Sequence, residues 1–352
     1  MIFNKLKINK TILNNRIVIS PMCQYSANNG SPSPWHYKHL SSLSGSGAAM
    51  IILESTAVEK NGRISIKDLC LYNQNHKNNL KKLINFIKKK SNIKLGIQIS
   101  HSGRKGSSNI PWIKHNEPLK KNKSWKTFAP SPIKRAKNWP TPYEMSKSDI
   151  NLVINKFKNS AKLANKAGFD CLEIHMAHGY LLHEFFSPIS NKRKDDYGGN
   201  LENRSKLLLQ IASAIRSVWP QKKILGARIT GSDHLKNGIN EEDAIYLSKK
   251  LKRLGIDYIS ISSGGILKKT NMKPGEAFRS KMTKKIKKSV KIFSTTSGEI
   301  TDFDVAEKLI ASNTLDFITI ARGIVRNPHW IYQLAKHQKI KNIIPNQYSR
   351  IF

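Results

Sequence analysis

The chain has 352 residues, 39% of them hydrophobic, with 61 Lys and Arg against 23 Asp and Glu, a formal charge of +38. That length and apolar content suit a globular protein with a sizeable core and exclude a disordered or fibrous chain. Three cysteines without C-x-x-C spacing, Cys23, Cys70 and Cys171, exclude a disulfide framework and a cysteine-built zinc or iron–sulfur site, and suit a reducing cytoplasm. The positive excess is almost all Lys, scattered over nearly every helix and turn and accompanied by abundant Asn and Ile. It reads as compositional drift, not as a nucleic-acid surface, because net charge speaks to solubility and non-specific binding. Met1 to Asn15 never builds an apolar run, so no signal peptide or membrane anchor is expected. No later segment approaches the roughly 18 apolar residues of a membrane span.

In chain order, short apolar runs alternate with segments of helical period. The strands expected are Ile17 to Ser20, Met50 to Leu53, Leu95 to Ile99, Cys171 to Ile174, Ile224 to Ile229, Tyr258 to Ser262, Lys291 to Phe293 and Phe317 to Ala321. Between and after them fall helices at Tyr37 to Leu43, Asn79 to Lys88, Ser148 to Lys166, Asn203 to Val218, Glu241 to Leu254, Met282 to Lys288, Asp304 to Ala311 and Pro328 to Lys336. About eight strand–helix units predict a (β/α)₈ TIM barrel, a single domain over residues 1–352. A doubly wound sheet is the competitor, but no G-x-G-x-x-G follows an early strand; Gly45-Ser46-Gly47 ends a helix. The longest non-periodic stretch, Arg104 to Ser146, reads as a functional loop over the barrel mouth.

Barrel enzymes build their sites from the loops after the strands, and polar groups stand at nearly every strand exit. They are Ser20-Pro21-Met22-Cys23-Gln24-Tyr25, Glu54-Ser55, Gln98 to His101, His175, Arg228, Ser297-Gly298 and Ala321-Arg322-Gly323. Gly298, Arg322 and Gly323 before a helix start suit an anion, bound by backbone N–H groups and a guanidinium. The densest cluster of titratable groups is His175, His178, Tyr180, His183, Arg193 and Tyr197. His175-x-x-His178 alone fits a metal pair or a structural pair, but no third ligand stands at a familiar spacing. Arg193, Asp195, Asp196, Tyr197 and Gly198-Gly199 read as a structural turn that fixes the histidine loop.

These residues carry a resemblance to the Old Yellow Enzyme family of FMN-dependent ene-reductases and NAD(P)H dehydrogenases, nearest its small bacterial branch of YqjM-type and xenobiotic-reductase-type enzymes. The matching motifs run the full length: Ser20-Pro21-Met22-Cys23, Ile97-Gln98, His101 to Lys105, Glu173-Ile174-His175, His178-Gly179-Tyr180, Ser187-Pro188, Tyr197-Gly198-Gly199 and Gln347 to Arg350. The resemblance implies FMN held at the carboxyl mouth, NADPH or NADH as hydride donor, and an enone-type electrophile as acceptor. It implies cofactor contacts from Ser20, Pro21, Met22, Cys23, Ser55, Gln98, His175, Arg228, Gly298, Ala321, Arg322 and Arg350. His175 and His178 would polarise the substrate carbonyl while Tyr180 delivers a proton to the α-carbon, with Tyr25, Cys23 and Trp35 also touching substrate. Arg350 matches an arginine that this branch sends into a neighbouring subunit, implying a homodimer or homotetramer. The chain departs from the pattern at Ala321, where Gly is expected, at Ser55, where Ala is common, and at its Ile351-Phe352 end. The rivals are an FMN barrel acting on tRNA, a longer dienoyl-CoA reductase type, and a basic binding protein without catalysis.

Overall fold

The computed structural model describes residues 1–115, 117–268 and 271–352, so Asn116 of the long loop and two residues after the sixth strand lie outside it. Eight parallel strands form one sheet: β1 (Ile17–Ile19), β2 (Met50–Ala57), β3 (Lys94–Ser100), β4 (Cys171–Met176), β5 (Ile224–Thr230), β6 (Tyr258–Ser262), β7 (Phe293–Thr296) and β8 (Ile318–Ile320). Strands β1 to β7 lie side by side in chain order and β8 returns to pair with β1, so the sheet curls into the expected barrel. The seam between β7 and β8 is held by the Asp316 N–H donating to Ser294 O at 3.0 Å and Thr295 Oγ1 donating to Phe317 O at 2.6 Å.

The helices packed outside are α1 (Pro34–Ser44), α2 (Gln74–Lys88), α3 (Lys147–Ala167), α4 (Leu201–Arg216), α5 (Glu241–Arg253), α6 (Ser280–Val290), α7 (Phe303–Ala311) and α8 (Trp330–His337). Their boundaries follow local chemistry. A capping box joins Ser146 and Asp149 at the start of α3, and left-handed Gly168 ends it.

Along each strand the side chains alternate. Ile17, Ile19, Ile51, Leu53, Leu95 and Ile97 point out to the helix layer, in the same cluster as Leu80, Leu83, Ile84 and Ile87 of α2. Val18, Met50, Ile52, Cys171, Ile224, Tyr258 and Phe317 point in and fill the barrel floor. A hairpin of Leu6–Ile8 with Thr11–Leu13 plugs that floor through Leu6, Ile8 and Leu13. The sequence reading gave this segment no structure, because its three-residue strands are interrupted by Lys and Asn.

The seventh strand corrects the reading. It runs Phe293–Thr296, not Lys291 to Phe293, because Lys291 is the left-handed cap of α6 with φ 54°. Its hydroxyls are buried by bonding to backbone, Thr296 Oγ1 to Ile261 O at 2.7 Å and Ser294 Oγ to Ile292 O at 2.9 Å. The long loop after β3 is ordered by a short pairing of Phe128–Ala129 with Tyr143–Glu144. Arg193 clamps it by donating to Pro130 O, Met145 O and Glu144, as well as to Asp195. Arg193 is therefore structural, but the loop it ties down is the long one after β3 and not the histidine loop.

Candidate active site

Period-two alternation continues upward from the barrel floor and turns polar. Gln98 and Glu173, neighbours in register on β3 and β4, form the next layer, and His175 of β4 pairs in register with Arg228 of β5 at the mouth. Gln98 Nε2 donates to Glu173 Oε1 at 2.7 Å and Tyr258 Oη donates to Glu173 Oε2 at 2.8 Å. The Gln98 amide is therefore fixed with its nitrogen inward and its carbonyl oxygen free to accept from above. Glu173 is held above the usual carboxylate range by burial, with the charge of Arg228 opposing.

After β4 the chain turns through two successive left-handed residues, His178 (φ 61°) and Gly179 (φ 70°). Tyr180 then caps a short helix, Leu181–Phe186. The turn brings three rings together, with centroids 4.9 Å apart for His175 and His178 and 4.8 Å for His175 and Tyr180. The proton positions follow from the bonds. The Ala177 N–H donates to His175 Nδ1 at 3.2 Å, so the His175 proton is on Nε2, 3.2 Å from His178 Nδ1. His178 in turn places its own Nε2–H on Ser262 Oγ at 2.6 Å. Burial, and then the Arg228 charge, push both imidazoles well below their ordinary pKa, so both stay neutral Nε2–H donors. Burial pushes the Tyr180 phenol well up, with Cys23 and Asp68 adding to it, so Tyr180 keeps its proton.

Lys105 is the cation at this cluster. Its Nζ donates to His178 O at 2.6 Å and stands 5.0 Å over the Tyr180 ring. Burial, with Arg135 and Arg104 nearby and Glu184 opposing, pushes the ammonium down to about 7.

Beside the histidines lies a cavity of about 420 Å³ lined by Arg228, Arg279, Ser297, Gly298, Ala321, Arg322 and Gly323. Arg228 donates to Ser297 Oγ at 2.8 Å and Ser20 Oγ at 3.4 Å, while its buried Nε has no partner. Arg279 stacks on Phe278 and donates to Ser263 Oγ at 2.7 Å and to Ser297 O. Four guanidiniums, those of Arg228, Arg279, Arg322 and Arg326, against two carboxylates, Glu276 and Glu299, suit a phosphate, and the unpartnered Arg228 Nε suits an electron-rich ring edge.

The family model described as NADH:flavin oxidoreductase / NADH oxidase matches residues 1–341. The chain belongs to this family. An NADPH dehydrogenase of Clostridium acetobutylicum is 36% identical over 356 residues, covering 100% of this chain and 99% of the relative. One of Bacillus subtilis is 35% identical over 352 residues, covering 99% and 98%. Among solved structures, morphinone reductase superposes with a TM-score of 0.80 at 21% identity, covering 96% of this chain and 89% of that one. The old yellow enzyme homologue of Zymomonas mobilis gives 0.80 at 20%, covering 97% and 94%, and both show the barrel fold.

The residues singled out in the sequence lie in several parts of the molecule. Ser20, Gln98, His175, His178, Tyr180 and Arg228 converge at the mouth. Cys23 and Tyr25 stand close to them, each electrostatically coupled to Tyr180, and burial raises both acidic groups. Met22 and Ser20 line the small cavity below, and Ser55 is buried on β2. Pro21 follows Ser20, half-buried, where β1 ends. Gly298, Ala321 and Arg322 reach the anion cavity, though Arg322 is 72% exposed and pairs with Glu299 at 3.0 Å. Trp35 is 46% exposed on α1, and its indole N–H donates to Gln24 Oε1 at 2.9 Å. Arg350 is exposed in a terminal segment whose Tyr348 and Phe352 pack on His329 and Tyr332.

Sequence reasoning missed Arg279 and the contacts of Lys105, His183 and Asp233. Among the described residues no group of three or more His, Cys, Asp or Glu is placed to hold a metal ion, and no helix is long and apolar enough to cross a membrane. The RNA-modifying alternative needs a reactive loop cysteine, but Cys171 is buried in β4 against Tyr258, where burial raises its thiol far up.

Proposed function

We propose that this protein is an FMN-dependent NAD(P)H oxidoreductase that reduces the activated C=C bond of α,β-unsaturated carbonyl compounds. The observation that carries the reading is the neutral His175–His178–Tyr180 cluster, three proton-bearing donors gathered beside a cationic cavity. Bound FMN supplies the hydride chemistry, accepting from the nicotinamide and delivering to the β-carbon.

The chain's residues do the rest. Arg279, Arg322 and the backbone at Gly298 would hold the phosphate, and Arg228 would stand against the electron-rich edge of the ring system, where a fixed cation favours the reduced, anionic form. The Gln98 carbonyl oxygen, oriented by Glu173, would accept from a ring N–H. His175 and His178 would turn their Nε2–H groups from each other and Ser262 onto the substrate carbonyl oxygen. Both donors are neutral, so they polarise the carbonyl without surrendering a proton. Tyr180 would give its proton to the α-carbon. Its raised pKa means the transfer goes forward only onto a carbanion more basic than the buried phenolate. Arg350 would act from a neighbouring subunit of a homodimer or homotetramer.

The test is Tyr180→Phe in rapid-mixing experiments on the two half-reactions. Flavin reduction by NADPH should persist, while reoxidation by 2-cyclohexenone should slow by about 100-fold or more. Reoxidation at the wild-type rate would remove Tyr180 from this role.

A further inference from the structure

His183 and Asp233 are both fully buried, 0% exposed, with His183 Nε2 2.9 Å from Asp233 Oδ1. Neither belongs to the chemistry described above, and neither touches the anion cavity. The other ring nitrogen explains their place. The Gly179 N–H donates to His183 Nδ1 at 2.7 Å, and Thr230 Oγ1 stands 3.3 Å from the same atom. Gly179 is the residue between His178 and Tyr180.

An Nδ1 that accepts bears no proton, so the single proton of a neutral His183 is on Nε2, the nitrogen that lies 2.9 Å from Asp233 Oδ1. Asp233 is itself immobilised: Oδ2 accepts from Ser187 Oγ at 2.7 Å and from the Ile239 N–H at 2.9 Å. Burial opposes its charge, but His183 and these donors hold its carboxyl below the ordinary value, so it stays ionised. A carboxylate on one imidazole nitrogen thereby fixes which tautomer faces the other.

Resting on the ene-reductase reading, we infer that His183 and Asp233 are a positioning pair for the reaction, in which Asp233 sets the His183 tautomer and His183 holds the Gly179 N–H, so that His178 and Tyr180 meet the substrate together. The hold is needed because the turn is left-handed at two consecutive residues. Lys105 pins the same turn from the His178 carbonyl side, and the backbone of Gly265 backs it from the loop after β6. Without an acceptor at Nδ1 the Gly179 N–H would be buried and unpaired, and relaxing it would move both donors.

Two conservative variants separate positioning from a merely structural ion pair. Asn places its side-chain oxygen where Nδ1 stands, so His183→Asn keeps the acceptor for Gly179 and weakens the link to Asp233. Gln reaches to the place of Nε2, so His183→Gln keeps the Asp233 link and loses the acceptor. Turnover of NADPH and 2-cyclohexenone is compared on FMN-loaded protein, together with deuterium exchange of the peptide spanning Ala177 to Tyr180. Positioning predicts kcat within about 10-fold of wild type for His183→Asn and a fall of about 100-fold for His183→Gln, with faster exchange only in the second. Asp233→Asn, which can present an N–H to Nε2 and drive the proton onto Nδ1, should behave like His183→Gln. The reverse order of the two His183 variants, or wild-type turnover and exchange in His183→Gln, overturns the inference. An inactive wild-type protein would sink the functional reading alone, and the exchange measurement would still decide whether His183 holds the turn.

Discussion

Replacing Gly179 by Ala tests the architecture of the donor turn. A Cβ at Gly179 would lie 2.2 Å from Gly265 O and 2.9 Å from Gly265 C, both backbone atoms that cannot rotate away. The left-handed φ of 70° adds roughly 1–2 kcal/mol for a residue with a Cβ. Forcing the two loops apart adds about 1–3 kcal/mol, the usual cost of overpacking. An unfolding entropy of about 2.1 cal/mol/K per residue makes each kcal/mol worth about 1.4 °C in a chain of 352 residues. Gly179→Ala should therefore lower Tm by about 3–7 °C. Gly168 is the control: its φ is 99° but nothing lies within 4 Å of a built Cβ, so Gly168→Ala should lose only about 1–3 °C. Displacing His178 and Tyr180 by about 1 Å should also cost about 100-fold in kcat, while FMN content read from the visible spectrum is kept. Gly179→Ala with wild-type turnover and the same Tm as Gly168→Ala would refute the reasoning.

Three further outcomes follow from other parts of the molecule. Burial pushes the Glu184 carboxyl up to about 8 against the pull of Arg104, so between its ordinary value and that pH the folded chain keeps a proton that the unfolded chain releases. Stability should fall as pH rises from 5 to 7, and Glu184→Gln should flatten that slope in urea midpoints; parallel curves would contradict it. Arg193→Ala breaks the Asp195 pair and strands buried carbonyls of Pro130 and Met145, so it should cost about 3–5 kcal/mol in melting experiments, where an unchanged Tm would refute the clamp. Arg228→Met should weaken FMN binding by about 10-fold or more and lower the flavin midpoint potential, read by fluorescence and potentiometry; an unmoved potential would take Arg228 away from the ring.

Most of the barrel was legible in the sequence because parallel strands are buried on both faces and read as continuous apolar runs, as in Ile17–Ile19 and the Met50-Ile51-Ile52-Leu53 start of β2. Phe293–Thr296 escaped because its side chains are hydroxyls, buried through bonds that only the neighbouring strands reveal. The donors His175, His178 and Tyr180 were legible because they crowd one strand exit. Arg279 and Asp233 were not, since each matters through a partner on a different loop, Ser297 and Ser187, and His183 stood out as a titratable group without its role as acceptor for the Gly179 N–H being visible. Trp35, close in sequence to the strand-one loop, is 46% exposed with its indole N–H on Gln24.

The central claim is that this pocket carries flavin chemistry in two half-reactions. The measurement that addresses it most directly is the visible spectrum of purified, FMN-reconstituted protein, titrated anaerobically with NADPH and then given 2-cyclohexenone. The account predicts a bound flavin band that bleaches with NADPH and returns on adding the enone. A protein that retains no FMN, or a bleached flavin that the enone leaves reduced, would contradict it.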